Sequence, residues 1–334
     1  MTSRILLIED TPANIQAISA ILKEQGYQIS VATNGQQGLD LLARVRPDLI
    51  LLDIMMPGID GFETCRRIKA STAWREIPII FLTAKTETAD IVKGFEVGAV
   101  DYVAKPFNAH ELLARVRTHL ALDHLHRENQ RLLLNVLPAP IAEKLKKQTG
   151  IIAERFDDVS VLFADIVGFT ALSARLSPAD LLELLNQVFS GFDELAGRHG
   201  LEKIKTIGDA YMVAGGLPEP HPDHLAAMAT LALAMHEKIL QVGQEFGGLN
   251  LRVGLHVGSV IAGVIGISKF IYDVWGDTVN TASRLESHGA PGRVQVSDVV
   301  FQRLQDRFTF EPRGTIELKG RGPMETYFLV APKQ

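Results

Sequence analysis

Between residues 4 and about 120, short and almost uninterrupted aliphatic runs alternate with amphipathic stretches of helical period. The runs fall at 5–8, 29–31, 49–52, 79–82 and 102–103, and the helical stretches at 12–25, 35–44, 60–70, 87–97 and from 108 onward. A strand that is apolar on both faces must be covered on both faces, and short strands joined through helices pair in parallel. The alternation therefore predicts a doubly wound α/β sheet with ligands gathered beyond the carboxyl ends of its strands.

Those ends carry polar chemistry. Glu9 and Asp10 close the first strand, Asp53 the third, Thr83 the fourth and Lys105 the fifth. A single acidic strand end is more often a helix cap or a solvated charge, but five groups at matching ends converge on one rim. Three carboxylates held together repel one another unless a divalent cation lies among them, while Lys105 and the Thr83 hydroxyl offer donors to a phosphoryl group on Asp53. Lys105-Pro106 is an X-Pro bond, the kind in which the cis form occurs. Glu9-Asp10, Asp53 with Met56-Pro57-Gly58, Thr83-Ala84, and the run from Asp101 to Phe107 resemble a response-regulator receiver domain of flavodoxin-like fold. The resemblance implies Mg²⁺ in the acidic pocket, transfer of phosphate to Asp53 from a histidine kinase or phosphotransfer protein, and a switch pair formed by Thr83 and Tyr102.

From Asn108 the helical pattern runs on through Leu122, Leu125, Asn129, Leu132 and Val136 before Pro138 and Pro140 interrupt it. The 3-4-3-4 spacing is that of a coiled-coil seam with one polar position; a surface helix packed on its own domain gives a similar pattern. Residues 132–145 then suggest a helix end, a turn and a short amphipathic helix. The expected divisions are a receiver at 1–121, a helical coiled-coil linker at 122–150 and a third part at 151–334.

Past residue 155 the pattern becomes a strand at 158–165, a helix from Ser177 to about 199, two strands around Ile207-Gly208, a helix at 223–246 and a strand at 250–257. This β-α-β-β-α-β order predicts an α+β domain, an antiparallel sheet with helices on one side. Ser177 is placed to cap the first helix, with Pro178 in its first turn. Asp165 and Asp209 each end an apolar strand-like run, and paired aspartates on adjacent strands can hold two divalent cations across a triphosphate. Single-residue alternatives exist: Asp209 as a turn residue after Gly208, and Arg284 paired with Glu286 or Asp277 on a helix surface.

The runs Phe163–Thr170, Lys205–Tyr211, Leu251–His256, Asp273–Asn280 and Leu318–Gly322 resemble the class III nucleotidyl cyclase catalytic domain. That resemblance implies a ferredoxin-like core dimerised head to tail with a site shared between two chains. It makes Asp165, Asp209 and the Ile166 carbonyl ligands of two Mg²⁺ or Mn²⁺ ions. Arg252 and Lys319 match residues that hold the triphosphate, Asn280 the one that orients the ribose, and Arg284 the one that stabilises the transition state. Asn280 and Arg284 lie four residues apart and share a helix face. Ser259, expected in a loop near the phosphates, is assigned no role.

Base choice follows from hydrogen-bond polarity. Adenine presents an acceptor at N1 and a donor at N6, and guanine reverses them. Lys205 only donates and ionised Asp273 only accepts, so the pair suits adenine. All these residues occur in one chain, so two copies can build two equivalent sites, with Asp165, Asp209 and Arg252 from one and Lys205, Asp273, Asn280, Arg284 and Lys319 from the other. The expected activity is conversion of ATP to cyclic AMP and pyrophosphate by a homodimer under control of Asp53 phosphorylation. A guanylate cyclase and a silent nucleotide-binding module are the alternatives.

With 46% apolar residues among 334, two cores can be filled, and a formal charge of −5 gives no basic field for nucleic acid. No continuous apolar run reaches the ~18 residues of a membrane span. The N-terminus enters a strand directly, without the pattern of a secretory signal, and one cysteine, Cys65, excludes an internal disulfide. These features lead to the expectation of a cytoplasmic protein with no nucleic-acid or membrane partner.

Overall fold

The computed structural model describes residues 3–84, 88–147, 150–246, 248–266, 269–318 and 321–333. The chain divides into two compact units, Met1–Leu132 and Leu133–Gln334.

The first unit runs β1 (Arg4–Ile8), α1 (Pro12–Glu24), β2 (Gln28–Ala32), α2 (Gly35–Val45), β3 (Leu49–Asp53), α3 (Gly61–Ala70), β4 (Ile79–Thr83), α4 (Thr88–Glu96), β5 (Asp101–Ala104) and most of α5 (Ala109–Leu134). Its five strands are parallel in the order β2-β1-β3-β4-β5. Ile5, Leu7, Leu49 and Leu51 pack against Ile18 and Leu22 of α1 and Leu112 and Val116 of α5. Leu6, Ile8, Ile50 and Leu52 pack on the other face against Leu42 of α2 and Phe62, Cys65 and Ile68 of α3. Both faces are dry, which is why the strands look continuously aliphatic in sequence. Asn34 and Asp60 cap α2 and α3 through side-chain bonds to the amides of Gln37 and Glu63. A Cβ on Gly61 would lie 2.3 Å from the Asp53 carbonyl oxygen, so only glycine lets α3 start this close to the end of β3.

The 26 residues of α5 give a rod about 39 Å long at 1.5 Å per residue. Leu122, Leu125 and Leu132 are 57%, 64% and 55% exposed. The expected seam is one position too long: α5 ends at Leu134, and Val136 lies in the following turn, where the Leu137 amide donates to the Leu133 carbonyl at 2.9 Å.

The second unit follows with α6 (Ala139–Lys147), β6 (Ala153–Ile166), α7 (Phe169–Ser173), α8 (Pro178–Arg198), β7 (Glu202–Ile207), β8 (Ala210–Gly215), α9 (His224–Gly243), β9 (Leu251–Ile265), β10 (Ile271–Trp275), α10 (Asp277–Ser287), β11 (Arg293–Ser297), α11 (Asp298–Leu304), β12 (Phe308–Leu318) and β13 (Gly322–Pro332). The sheet order is β12-β13-β11-β9-β6-β8-β7, with β10 paired to β9. The expected β-α-β-β-α-β core is present as β6-α8-β7-β8-α9-β9, with Ser177 capping α8 through the Asp180 amide.

Three expectations are corrected. The sheet is mixed, because β11 runs parallel to β9. Helices cover both faces: α8, α9 and α11 supply Leu184, Phe192, Met235 and Val300 to one core, whereas Ile141 of α6 and Ala282 of α10 pack with Val161 and Phe163 on the other. The strands β6 and β9 reach 14 and 15 residues, beyond the expected 158–165 and 250–257, so Ser259 lies within a strand and not in a loop. The helix α9 is also apolar and long enough to cross a membrane by length and composition, which the search for an uninterrupted run passed over; its Leu225, Met228, Leu231, Met235 and Ile239 fill the core instead.

Candidate active site

In the first unit the strand ends converge as predicted. Carboxylate oxygens of Glu9, Asp10 and Asp53 lie within 4.8 Å of one another, and Lys105 Nζ stands 2.8 Å from Glu9 Oε2 and 2.7 Å from Asp53 Oδ2. Burial raises the Asp53 pKa above the ordinary carboxylate value, Glu9 adds to the rise, and Lys105 opposes it. Glu9 Oε2 is buried and, despite its closeness to Lys105, receives no well-directed hydrogen bond. Two buried carboxylates and the half-buried Asp10, with one oxygen unsatisfied, fit a divalent cation. The Asp53 Oδ1 accepts from the Met55 amide, which fixes the carboxylate at the mouth of the turn. Thr83, at the end of β4, is buried, and Tyr102 on β5 packs edge-on to Phe95 with Arg115 over its ring. The Lys105-Pro106 bond is cis.

In the second unit, the ladder places Asp165 of β6 opposite Ala210 on β8, so Asp209, in the β7–β8 turn, is its neighbour. Burial, then repulsion from Asp165, raises the Asp209 pKa. Two carboxylates that resist sharing negative charge are suited to cations. The Ile166 side chain is buried in the core, leaving its backbone carbonyl as the group that could join them. On the other side of β6, Asp165 is in register with Arg252 of β9, whose Nη2 donates to Asp165 Oδ2 at 2.7 Å.

Sequence reasoning missed Glu286. It lies on α10, only 8% exposed, with Oε1 3.3 Å from Arg252 Nε. Burial, followed by the charge of Asp165, pushes its carboxyl up to about 7. A Cβ on Gly254 would meet the Glu286 amide nitrogen at 2.2 Å, so glycine is what allows α10 to press this carboxylate onto β9. The suggested surface pairs of Arg284 do not form: Arg252 takes Glu286, and Arg321 takes Asp277 at 3.0 Å. Among the described residues the Arg284 side chain makes no hydrogen bond or ion pair, and Asn280 is exposed one helical turn before it.

Lys205 of β7 and Asp273 of β10 form a close ion pair, and Asp273 Oδ1 also accepts from the Val274 amide at 2.8 Å. Asp273 pairs with Gly263 on β9, while Asp165 pairs with Arg252. Lys205 stands four positions before Asp209, and through β8 and β6 its register falls at Gly254 of β9, yet among the described residues no hydrogen bond or ion pair joins the acidic pair to the purine-matched pair. Lys319 lies outside the described residues. Two positions on, Arg321 bonds Thr281 and Asp277 of α10 and approaches His256. Burial, then Arg321, holds His256 down to about 4, and its Nδ1 meets Ser297 Oγ at 2.7 Å.

Comparison with known proteins agrees with this arrangement. Residues 151–331 match the adenylate and guanylate cyclase catalytic domain and residues 5–117 the response regulator receiver domain. The chain belongs to the adenylate and guanylate cyclase family, with a receiver domain preceding the catalytic domain. An adenylate cyclase of Mycobacterium bovis is 49% identical over 219 residues, which cover 65% of this chain and 49% of that protein. The chain therefore spans about half the length of the mycobacterial relatives it matches. Among solved structures, the guanylate cyclase domain of RhGC from Catenaria anguillulae, in complex with GTP, is 38% identical with a TM-score of 0.52, covering 54% of this chain and 100% of that one. The adenylyl cyclase CyaB from P. aeruginosa is 28% identical, also with a TM-score of 0.52, covering 55% and 97%.

Proposed function

We propose that this protein is an adenylate cyclase that converts ATP to 3′,5′-cyclic AMP and pyrophosphate at sites shared between two copies, under control of phosphorylation at Asp53. The observation that carries the reading is the placement of Asp165 and Asp209, two part-buried carboxylates held as neighbours beside Arg252. Divalent magnesium or manganese between them would neutralise the phosphates and acidify the ribose 3′-hydroxyl. Arg252 and Lys319 bind the triphosphate, Asn280 orients the ribose, and the unpaired Arg284 meets the charge that grows on the α-phosphate oxygens. As the bond from O3′ to the α-phosphorus forms, the bond from that phosphorus to the bridging oxygen breaks; pyrophosphate leaves with the electron pair, and the hydroxyl proton passes to solvent.

ATP is favoured by the pairing of Lys205 with Asp273, which supplies one donor and one acceptor in the order adenine needs. The mycobacterial relative, named an adenylate cyclase, supports the same choice. Sharing between chains is supported by Arg284, whose side chain makes no hydrogen bond or ion pair among the described residues and so is available to a nucleotide held by another copy. The acidic pocket of the first unit supports phosphate transfer to Asp53 from a histidine kinase or phosphotransfer protein.

The test is turnover by the purified chain of ATP and GTP, each with Mg²⁺ or Mn²⁺. Cyclic AMP and pyrophosphate should form, with a preference for ATP of about tenfold or more from one matched polar pair. Asp209→Ala should reduce the rate by roughly 100-fold or more through loss of a metal ligand. Preferential formation of cyclic GTP, or no cyclic product at all, would count against the proposal.

A further inference from the structure

Arg252 stands between two carboxylates. Its Nη2 is bonded to Asp165 at 2.7 Å, and its Nε faces Glu286 Oε1 at 3.3 Å without a well-directed bond, so that both of these atoms are buried and unsatisfied. The guanidinium is therefore hydrogen-bonded through Nη2 to a residue that the proposed chemistry assigns to cations, and faces, without a well-directed bond, one that it does not use. Asp165 cannot give its lone pairs to a cation and keep Arg252 at full strength. The displaced guanidinium needs a second anionic partner close by, since leaving it unpaired in a part-buried position is costly. Glu286 is already there, held by the contact of α10 with Gly254.

We propose that Glu286 is a positioning residue which draws the Arg252 guanidinium off Asp165, freeing that carboxylate for a cation and holding Arg252 where the triphosphate binds. The inference rests on the cyclase reading for the role of Arg252. Its structural part, an exchange of Arg252 between two acids, concerns manganese affinity alone. Glu286 touches neither substrate nor cation in this scheme and acts only through Arg252. The move is short, because Arg252 already lies 2.7 Å from Asp165 and 3.3 Å from Glu286.

The experiment uses the full chain in an Asp53→Asn background, which removes the central carboxylate of the receiver pocket so that Mn²⁺ binding reports on the second unit. Free Mn²⁺ is followed by electron paramagnetic resonance during titration. Glu286→Gln should weaken Mn²⁺ binding about fivefold, within the range in which neighbouring charged groups couple. The same change introduced together with Arg252→Ala should have little effect, because no guanidinium then competes for Asp165. In turnover with wild-type Asp53, Glu286→Gln should raise KM for ATP more than it lowers kcat, and Glu286→Asp should recover part of the loss. If Glu286→Gln fails to fold, the Glu286→Asp chain serves in its place, with a smaller shift that must again vanish without Arg252. An unchanged Mn²⁺ affinity, or an equal loss with and without Arg252, overturns the proposal; the second outcome would mean that Glu286 acts on the cation through space. A wild-type chain that forms no cyclic nucleotide overturns the cyclase reading, while the titration still decides the exchange of Arg252.

Discussion

Glu202 shows how a single unpartnered carboxyl tunes stability. It opens β7, and burial alone raises its pKa from 4.5 to about 7. An acid whose folded pKa lies above its unfolded value keeps its proton longer in the native state, so stability falls as pH rises between the two values. Above about 7 the full penalty of burying the charge applies. Glu202→Gln should therefore raise the melting temperature at pH 8 by about 2–4 °C, roughly 1 kcal/mol for a unit of this size, and leave it almost unchanged at pH 4.5. Thermal unfolding followed by circular dichroism at the two pH values checks this; equal shifts at both would remove ionisation as the cause. Residues of this kind are hard to find from sequence, because nothing in the string tells a buried glutamate from a solvated one. Glu286 escaped notice for the same reason: its partner Arg252 is 34 positions away, on another element, while Arg284 stood two positions away and offered a local explanation. That Lys205 and Asp273 meet was open to sequence reasoning only through the cyclase resemblance, which named both positions; what each side chain can donate or accept then gave the expected base.

Among the elements, the parallel strands of the first unit were the most legible, since burial on both faces leaves an unbroken aliphatic signal. The long β6 and β9 were underestimated because each passes from a covered to a partly exposed region, so the apolar pattern fades before the hydrogen bonding does. The helix α5 raises the opposite question, since its apolar stripe is visible but stays exposed among the described residues. Leu122, Leu125 and Leu132 are exposed on it, and each could contribute about 1.5–3 kcal/mol if covered by a second copy. Leu125→Glu should weaken self-association at least tenfold in sedimentation velocity. Beryllofluoride, standing in for phosphate on Asp53, should change association or ATP turnover in the wild type and do neither in Asp53→Asn. If the glutamate variant associates as the wild type does, the stripe is not the dimer contact; if beryllofluoride acts equally on Asp53→Asn, control does not pass through Asp53.

For the whole molecule, the strongest expectation is that no copy works alone. Asp209→Ala and Arg284→Ala should each be nearly inactive, yet a mixture should regain up to about a quarter of wild-type activity, since a mixed pair restores one of two sites and half the pairs are mixed. Measuring cyclic AMP formation across mixing ratios provides the check, and no recovery at any ratio would argue for sites complete within one chain. The order of the two domains was open to sequence reasoning, because each carries several chemical groups at fixed offsets from strand ends. The second half of the catalytic sheet was not, since β10 to β13 are mixed in direction and tied to the core by pairing rather than by pattern.

The helix α10 bears Asn280 and Arg284 on one stretch and Glu286 two residues further on. If the first two serve a nucleotide bound mainly by the opposite copy while the third steers Arg252 of its own copy, one short rod belongs to both reaction chambers. Loading either chamber would then nudge the other through a few ångströms of shared backbone, so the pair would sense nucleotide as a unit, and its response to concentration would depart from that of two independent catalysts.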